Sequence, residues 1–414
     1  MHIGIVSDFF GAKCGGSDTV TRNWVKKLLE RGHKVTIITA HNKNVPFGKN
    51  KNLRVIKFFG VPIPKTGKRV YGAIPLNPFK LYKIYKIIKN EIDVIHVFLV
   101  PSLISSVAIT LARWAKKPVV SSIHVQPENI GYNIKSKTFN PVDKILIFLD
   151  KFIPMKRKNI LKWSYNYLAN AYFNKSNLVV GPTNFAIDTY KKFGLKVPTK
   201  VISNGVDFSQ FNGHGRAEVF LNKYKLQREI PKVMYVGRLD SEKRVDVIIK
   251  AARFVIDKIP ETLFIIIGTG SEERELRTLT RKLKIENNVI FTGKIPDKLL
   301  PHAYHACNLF VSASIAELQG IVLLEAMSAG KPLVGTNLCA IPEAVVDDYN
   351  GYTFKKNDFK DLSEKILKIL ESKEIQEKFS SNSLKMVKNH DIDKSINLME
   401  DEYKKLVSEF SLAS

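Results

Sequence analysis

The chain has 414 residues, 44% of them hydrophobic and 25% charged, with 23 Gly and 18 Pro, a composition that excludes disordered, collagen-like and disulfide-scaffold classes. At about 100–200 residues per domain this length implies two domains, each able to bury its own core. The exceptional quantity is charge: 65 Lys and Arg against 39 Asp and Glu, a formal +26, which speaks of nucleic acid, an anionic membrane surface or acidic small molecules as partners and says nothing of fold. The excess is one-sided. Residues 1–205 hold 34 basic and 9 acidic residues, whereas residues 206–414 hold 31 and 30. Three cysteines, Cys14, Cys307 and Cys339, with no C-x-x-C, imply a reducing compartment and no zinc module.

In chain order, the N-terminus opens on a strand-like run, HIGIVSDFF, and is expected to carry no signal peptide. The segment TVTRNWVKKLLERGH has apolar residues at Val20, Trp24, Val25, Leu28 and Leu29, the spacing of one helical face. KVTIITA, VIHVFLV, PVVSSIH and NLVVGPT are further strands of the first half. Val94 to Ala112 is 19 residues without a formal charge, close to the length of a membrane span. His96, Pro101 and several Ser and Thr favour a buried strand followed by a helix instead, since strands covered on both faces read as continuous apolar runs. After KVISNGVDF and the polar stretch SQFNGHGRAEVF the series starts afresh with PKVMYVG, LFIIIGT, NVIFTG, LFVSAS and PLVGTN. Strands alternating with helical patterns predict an α/β protein with two doubly wound, Rossmann-like domains, 1–205 and 206–390, facing across a cleft. A terminal helix over about 390–414, with Ile396, Leu398, Met399, Tyr403 and Leu406 on its apolar face, is expected to pack back on the first domain.

The strongest chemical signal is SASIAELQGIVLLEAMSAGKPLVGTN, residues 312–337. A strand runs into a turn at Gly320, and a helix follows that stops at Gly330-Lys331-Pro332. Backbone N–H groups from Leu318 through Gln319 and Gly320 to Ile321 would then point from a helix N-terminus, a ready anion site. Glu317 lies at the strand end. Glu325, about one and a half turns into the helix, is placed to reach the vicinal hydroxyls of a ribose. A solvated helix with a dipole-favoured N-terminal acid would account for Glu317, but not for an acid among Val322, Leu323, Leu324, Ala326 and Met327.

These residues resemble the family-4 retaining glycosyltransferases of the GT-B fold, whose hallmark is Glu, seven residues, Glu in this strand–loop–helix setting. The resemblance spans nearly the whole chain and is most specific over residues 233–345. It implies that Arg238 and Lys243, in the R-x4-K spacing of MYVGRLDSEKRVDVIIKAA, grip the diphosphate of a nucleotide sugar. It implies that Lys294 and Ile295, in VIFTGKIP, flank the nucleobase. Gly15 and Gly16 fall where the family's paired glycines open the first helix, and His124, in SSIHVQPENI, falls near the transferred sugar. The alternative for His124 is a cap on its strand–helix loop. Arg238, Lys243 and a helix N-terminus together supply the charge that a leaving diphosphate requires, so no metal and no cofactor beyond the nucleotide-sugar co-substrate, read as UDP-linked, is expected. The one D-x-D, Asp391-Ile392-Asp393, reads as a helix cap. Gly268-Thr269-Gly270 imitates a dinucleotide fingerprint, but Glu273 stands at its third glycine and acids lead the helix, so a packing role for the βα turn is expected. Where the family commonly has paired glycines before Ile-Pro-Glu, this chain has Leu338-Cys339-Ala340, which bears on the identity of the sugar.

For retention, the resemblance implies front-face attack by the acceptor hydroxyl, with Glu317 holding sugar hydroxyls and His124 donating near the forming bond. Residues 51–90 hold ten Lys and Arg and no acid, interleaved with Phe58, Phe59, Tyr71, Phe79, Tyr82 and Tyr85, and residues 131–175 hold nine basic and two acidic residues. Aromatic, Lys-rich segments of this kind suit the headgroup boundary of an anionic bilayer, although helices covering a sheet would also carry solvated charge. The expectation is a hexosyltransferase acting on a membrane lipid or lipid-linked saccharide, cytoplasmic and peripheral on the inner face of the membrane. The same chemistry on a soluble small molecule or phosphosugar stays open. Nucleic-acid binding, which +26 invites, leaves Glu317 and Glu325 unexplained.

Overall fold

The computed structural model describes residues 1–7, 10, 16–39, 47, 50–57, 60–62, 73–75, 77–99, 103–126, 157–212 and 216–412. They form two compact units, one of residues 1–204 with 393–414 and one of residues 205–392. The 213–215 and 127–156 stretches, and with the latter most of the second basic segment, lie outside the described residues.

The first unit is built on strands β1 (His2–Val6), β2 (Lys34–Thr39), β3 (Leu53–Lys57), then a hairpin of β4 (Gly60–Pro62) and β5 (Ala73–Pro75), and β6 (Val94–Leu99), β7 (Val119–Ile123), β8 (Leu178–Gly181) and β9 (Thr199–Val201). Helices α1 (Gly16–Glu30), α2 (Pro78–Glu91), α3 (Leu103–Trp114), α4 (Arg157–Ala171) and α5 (Asn184–Lys192) connect them. Seven strands form one parallel sheet in the order β3-β2-β1-β6-β7-β8-β9. Val94, Ile95 and Val97 of β6 are wholly buried, as a central strand between two helix layers requires. The uncharged run from Val94 is therefore a strand and a helix, and no helix among the described residues is long and apolar enough to cross a membrane. Strand β3 was not foreseen, because Arg54 and Lys57 break its apolar pattern; as an edge strand it needs only partial burial.

Helix α1 buries Val20, Trp24, Val25 and Leu28, one face of a 3.6-residue period. Helix α2 starts on Asn77, whose side chain accepts from the Lys80 amide at 3.1 Å, with Pro78 in its first turn.

The second unit repeats the plan. Its helices are α6 (Ala217–Tyr224), α7 (Val245–Ile256), α8 (Glu273–Lys282), α9 (Leu300–Ala306), α10 (Ile321–Ser328), α11 (Phe359–Leu370) and α12 (Lys373–Val387). Its strands are β10 (Lys232–Val236), β11 (Leu263–Ile267), β12 (Val289–Gly293), β13 (Leu309–Ser312), β14 (Leu333–Thr336) and β15 (Gly351–Phe354). All six are parallel, in the order β12-β11-β10-β13-β14-β15, the doubly wound arrangement of a dinucleotide fold. Two apolar clusters cover the sheet: Val233, Tyr235, Ile248, Phe264 and Ile266 belong to one, Met234, Ile265, Phe310, Leu323 and Leu324 to the other. Alternate residues of β10 and β11 thus feed opposite faces.

The terminal helix α13 (Ile392–Leu412) buries Ile396, Met399 and Tyr403 completely. Tyr403 Oη lies 2.5 Å from His96 Nδ1, whose Nε2 lies 2.6 Å from Ser122 Oγ. Burial holds the His96 pKa down at about 3, so the ring is neutral, one nitrogen donating and the other accepting. Asp393 does not merely cap this helix. It pairs with Lys27 at 2.8 Å and Arg31 at 2.9 Å, and Glu400 adds Arg31 at 3.2 Å and His33 at 2.8 Å. Acids of α13 thereby answer bases of α1 and the turn after it.

Candidate functional site

Open parallel sheets bind ligands beyond the C-terminal ends of the strands where strand order reverses. In the second unit that point lies between β10 and β13, which run side by side with Val233 opposite Leu309 and Met234 opposite Phe310. The loops leaving these two strands carry Arg238 and Lys243 on one side and Glu317 to Ile321 on the other.

The β10 loop is rigidly held. Tyr235 Oη donates to the Arg238 carbonyl at 2.8 Å, and the Gly237 and Leu239 amides donate to Ile267 and Thr269 carbonyls at 3.0 Å each. A Cβ at Gly268 would stand 1.8 Å from the Gly237 carbonyl oxygen, and one at Gly270 would stand 2.3 Å from Leu239 backbone. The G-x-G of this unit therefore packs one βα turn against another, and a dinucleotide role has no support.

Arg238 forms ion pairs with both Asp240 and Glu242. Burial alone would lower its pKa, and Glu242 with Asp240 more than reverses that, raising it. The Glu242 side chain is only 2% exposed, and its second oxygen has no hydrogen-bond partner among the described residues. The Glu242 carbonyl accepts from the Ile315 amide at 3.0 Å, which ties the β10 loop to the β13 loop. That tie sets Lys243 beside Glu317, and the two form an ion pair. Two residues read from separate motifs thus meet in one place.

Gly320 adopts the left-handed region, φ 74° and ψ 72°, and α10 begins at the next residue with no side chain capping its first turn. A non-glycine residue would pay about 1 kcal/mol or more for that conformation. Backbone amides at a helix start, following a loop whose Glu317 pairs with Lys243, form a positive end suited to phosphate. The Ala340 amide donates to the Glu317 carbonyl at 3.3 Å, and Cys339, at φ 54°, occupies a conformation that glycine takes without strain.

Glu325 projects from the second turn of α10. Tyr304, on α9, donates to its Oε2 at 2.8 Å. Burial lifts the Glu325 carboxyl to about 7; the Tyr304 hydrogen bond opposes this and Asp297 adds to it. Lys294 and Ile295 follow β12 at the outer edge of the sheet, Lys294 exposed and Ile295 buried in the same apolar cluster as Tyr304 and Leu323. Sequence reasoning missed Glu242 and Tyr304. Glu242 stands inside the R-x4-K spacing as an acid among bases, a visible signal; Tyr304, in PHAYHA, offers none.

In the first unit, His124 follows β7 and stacks on Phe98 with ring centroids 5.4 Å apart and planes 9° apart. Burial holds its pKa down at about 4, and its Nε2 is buried with no hydrogen-bond partner among the described residues. Gly16 opens α1, where an added Cβ meets nothing within 4 Å, and Gly15 lies outside the described residues.

Comparison with known proteins places the whole chain. The model for Glycosyltransferase Family 4 matches residues 14–210, and that for Glycosyl transferases group 1 matches residues 217–386. The alpha-monoglucosyldiacylglycerol synthase of Streptococcus pneumoniae is 25% identical over 81% of this chain and 70% of its own length. The sulfoquinovosyl transferase SQD2 of Arabidopsis thaliana is 27% identical over 86% of this chain and 64% of its own. The crystal structure of Anabaena HepE in complex with UDP and glucose superposes with a TM-score of 0.75 at 20% identity, over 98% of this chain and all of that one. With a glycosyltransferase model on each unit and a GT-B structure matching both, the chain belongs to the family-4 glycosyltransferases and has the GT-B fold.

Proposed function

We propose that the protein transfers a hexose, with retention, from a UDP-sugar to a membrane lipid acceptor of the diacylglycerol or lipid-linked class. The observation that carries the donor half is the convergence of Arg238, Lys243, Glu317, the Gly320 turn and Glu325 at the switch point of the second unit. In this reading the diphosphate takes the place beside Lys243 that Glu317 holds, with Arg238, still paired with Glu242, and the first amides of α10 completing its surroundings. As the bond from the sugar to the β-phosphate oxygen breaks, charge grows on that oxygen. Fixed cationic groups stabilise it without reorganisation, so the reading requires no metal. The acceptor hydroxyl attacks the face the phosphate leaves, its oxygen bonding to the anomeric carbon while its proton passes to the departing phosphate. Glu317, once released by Lys243, accepts from sugar hydroxyls. His124 is neutral at any ordinary pH because of its burial, and so acts as a neutral donor or acceptor.

Glu325 accepts from the ribose hydroxyls and does so best as a carboxylate. Its native pKa of about 7 lies above its ordinary 4.5, so the native state holds the proton longer than the unfolded chain. Its contribution to stability is therefore full below 4.5 and is lost as pH rises to 7, while its affinity for ribose increases over the upper part of that range. Calorimetry should show UDP binding tighten from pH 6 to pH 8 more in the parent than in Glu325→Gln, the ionisation of the diphosphate being common to both. Equal pH dependence in the two would remove Glu325 from the ribose.

Support for the lipid acceptor comes from the first unit and from the relatives whose names carry diacylglycerol. Helix α2 exposes Phe79 (87%) and Tyr82 (58%), and α3 ends on Trp114 (70%). Pro78, Leu81, Tyr82, Tyr85, Leu111 and Trp114 line an apolar groove of about 520 Å³. Lys83, Lys86 and Lys89 are exposed on the same helix, with the Lys86 ammonium 5.3 Å from the Tyr82 ring centre. Aromatic wedges ringed by lysine fit the boundary of an anionic bilayer. The protein should sediment with vesicles of phosphatidylcholine and phosphatidylglycerol at moderate salt. Replacing Lys83, Lys86 and Lys89 by glutamine should weaken this about 100-fold, at about 1 kcal/mol for each lysine. Failure of the parent protein to sediment would leave a soluble acceptor as the reading.

A further inference from the structure

The donor-site description leaves Tyr304 without a role, and its placement is specific. It is completely buried, with its ring centroid 5.7 Å from that of Phe211 and 5.8 Å from that of Phe310. Packing of that kind is satisfied equally by phenylalanine. The hydroxyl, however, reaches α10, 2.8 Å from Glu325 Oε2 and 3.2 Å from the Val322 carbonyl oxygen. A phenol has one proton to donate, and the nearer, charged acceptor takes it. If Glu325 gains a proton, the pair still works: the acid donates to the phenol oxygen and the phenol donates to Val322. In either state the buried hydroxyl is satisfied, which a buried polar group requires.

The bond has a consequence for ligand geometry. It occupies Oε2 and fixes the plane of the carboxylate. Glu325 is only half-buried, and among the described residues Oε1 receives no hydrogen bond. One oxygen is anchored and the other presented.

We infer that Tyr304 is a positioning residue: by anchoring Oε2 of Glu325 it aims the carboxylate at two vicinal ribose hydroxyls and so sets the preference of the site for ribonucleotides over 2′-deoxyribonucleotides. The inference rests on the ribose role of Glu325 given above. The burial that lifts the Glu325 pKa is opposed by this same hydrogen bond, which agrees with the phenol stabilising the form that accepts from ligand.

The test titrates UDP and 2′-deoxy-UDP into the parent protein, Tyr304→Phe and Glu325→Gln by calorimetry, with thermal melts and donor kinetics alongside. The parent should prefer UDP by about tenfold, the worth of one hydroxyl bonded to a charged acceptor, and Glu325→Gln should bring the two ligands nearly level. Tyr304→Phe, which keeps the ring packing, should cut the preference by about threefold or more, within what loosening one charged hydrogen bond allows. It should also raise donor KM while leaving kcat nearly unchanged, as loss of uniform binding does. A lower Tm and kcat with the UDP preference intact would make Tyr304 a structural residue and overturn the inference. If Glu325→Gln itself leaves the preference intact, the ribose role of Glu325 fails, and the inference falls with it.

Discussion

Lys243→Ala should lower kcat for sugar transfer by about 10²–10³-fold, the effect of removing one preorganised donor from a developing oxyanion, with little change in Tm. The two halves of that expectation come from the same geometry. Lys243 meets Glu317 where the β10 and β13 loops are joined by the Glu242 carbonyl, so its ammonium is held in place on the loop that leads into α10. Preorganisation is what gives such a charge its catalytic worth. The stability half follows from exposure: Lys243 and Glu317 are 16% and 17% exposed, so some water still reaches the acid that the substitution leaves behind, and it costs less than a wholly buried charge does. Arg238 is a poorer subject for the same experiment. Its removal strands Glu242, 2% exposed and already lacking a partner for one oxygen among the described residues, and uncompensated buried charge costs about 3–5 kcal/mol. An Arg238→Ala protein would lose fold and activity together, and the kinetics would say little. If Lys243→Ala transfers sugar at the parent rate, the diphosphate does not lie on this loop.

Glu317→Gln should separate binding from chemistry in the opposite sense. Glu317 pairs with Lys243, so a diphosphate would compete with it for the ammonium. Neutralising the acid frees the lysine, and UDP should bind as tightly as to the parent or up to about fivefold tighter, the scale of one partly exposed ion pair. Transfer, by contrast, should fall about 10²-fold. Hydrogen bonds from sugar hydroxyls to a carboxylate are worth about 1.5–3 kcal/mol, and those that strengthen as the ring flattens act on kcat. Isothermal titration with UDP and steady-state kinetics on one preparation give both numbers. Weaker UDP binding with unchanged kcat would mean that Glu317 serves the nucleotide and not the sugar.

Much of this architecture was legible because the relevant signals are local. Ten strands announced themselves as apolar β-branched runs, and the α10 stop at Gly330 was written in Gly-Lys-Pro. The elements that escaped are those for which local pattern is weak. Strand β3, LRVIK, alternates charge with apolar residues because it lies on an edge, and β15, GYTF, is four residues long. The candidate site divides in the same way. Arg238, Lys243, Glu317 and Glu325 could be named because each lies in a patterned stretch at a fixed offset from a strand or helix end. That Lys243 and Glu317 touch is a tertiary fact, 74 residues apart in sequence, and no spacing encodes it. Tyr304 is the extreme case, since it reaches Glu325 from a different helix through a contact that only the packing of α9 on α10 creates. Asp393, in the D-x-D read as a helix cap, also answers Lys27, 366 residues away, and Arg31, a distance over which sequence pattern carries no information.

The net charge of +26 also divides along this line. The near-neutral second half carries the proposed donor site, where the charges of Arg238, Lys243, Glu242 and Glu317 are paired. The basic first half exposes Phe79, Tyr82 and Lys83, Lys86 and Lys89 of α2 beside Trp114 at the end of α3, the surface on which the proposed lipid acceptor rests.

The most direct measurement of the central claim is nucleotide release from a panel of nucleotide sugars, with extracted membrane lipid as acceptor, by the parent protein and Lys243→Ala side by side. At least one UDP-sugar should give lipid-dependent release in the parent that drops about 10²–10³-fold in the variant. Release that is equal in the two proteins, or that no nucleotide sugar supports, would contradict the assignment of the switch-point loops of the second unit as the donor site.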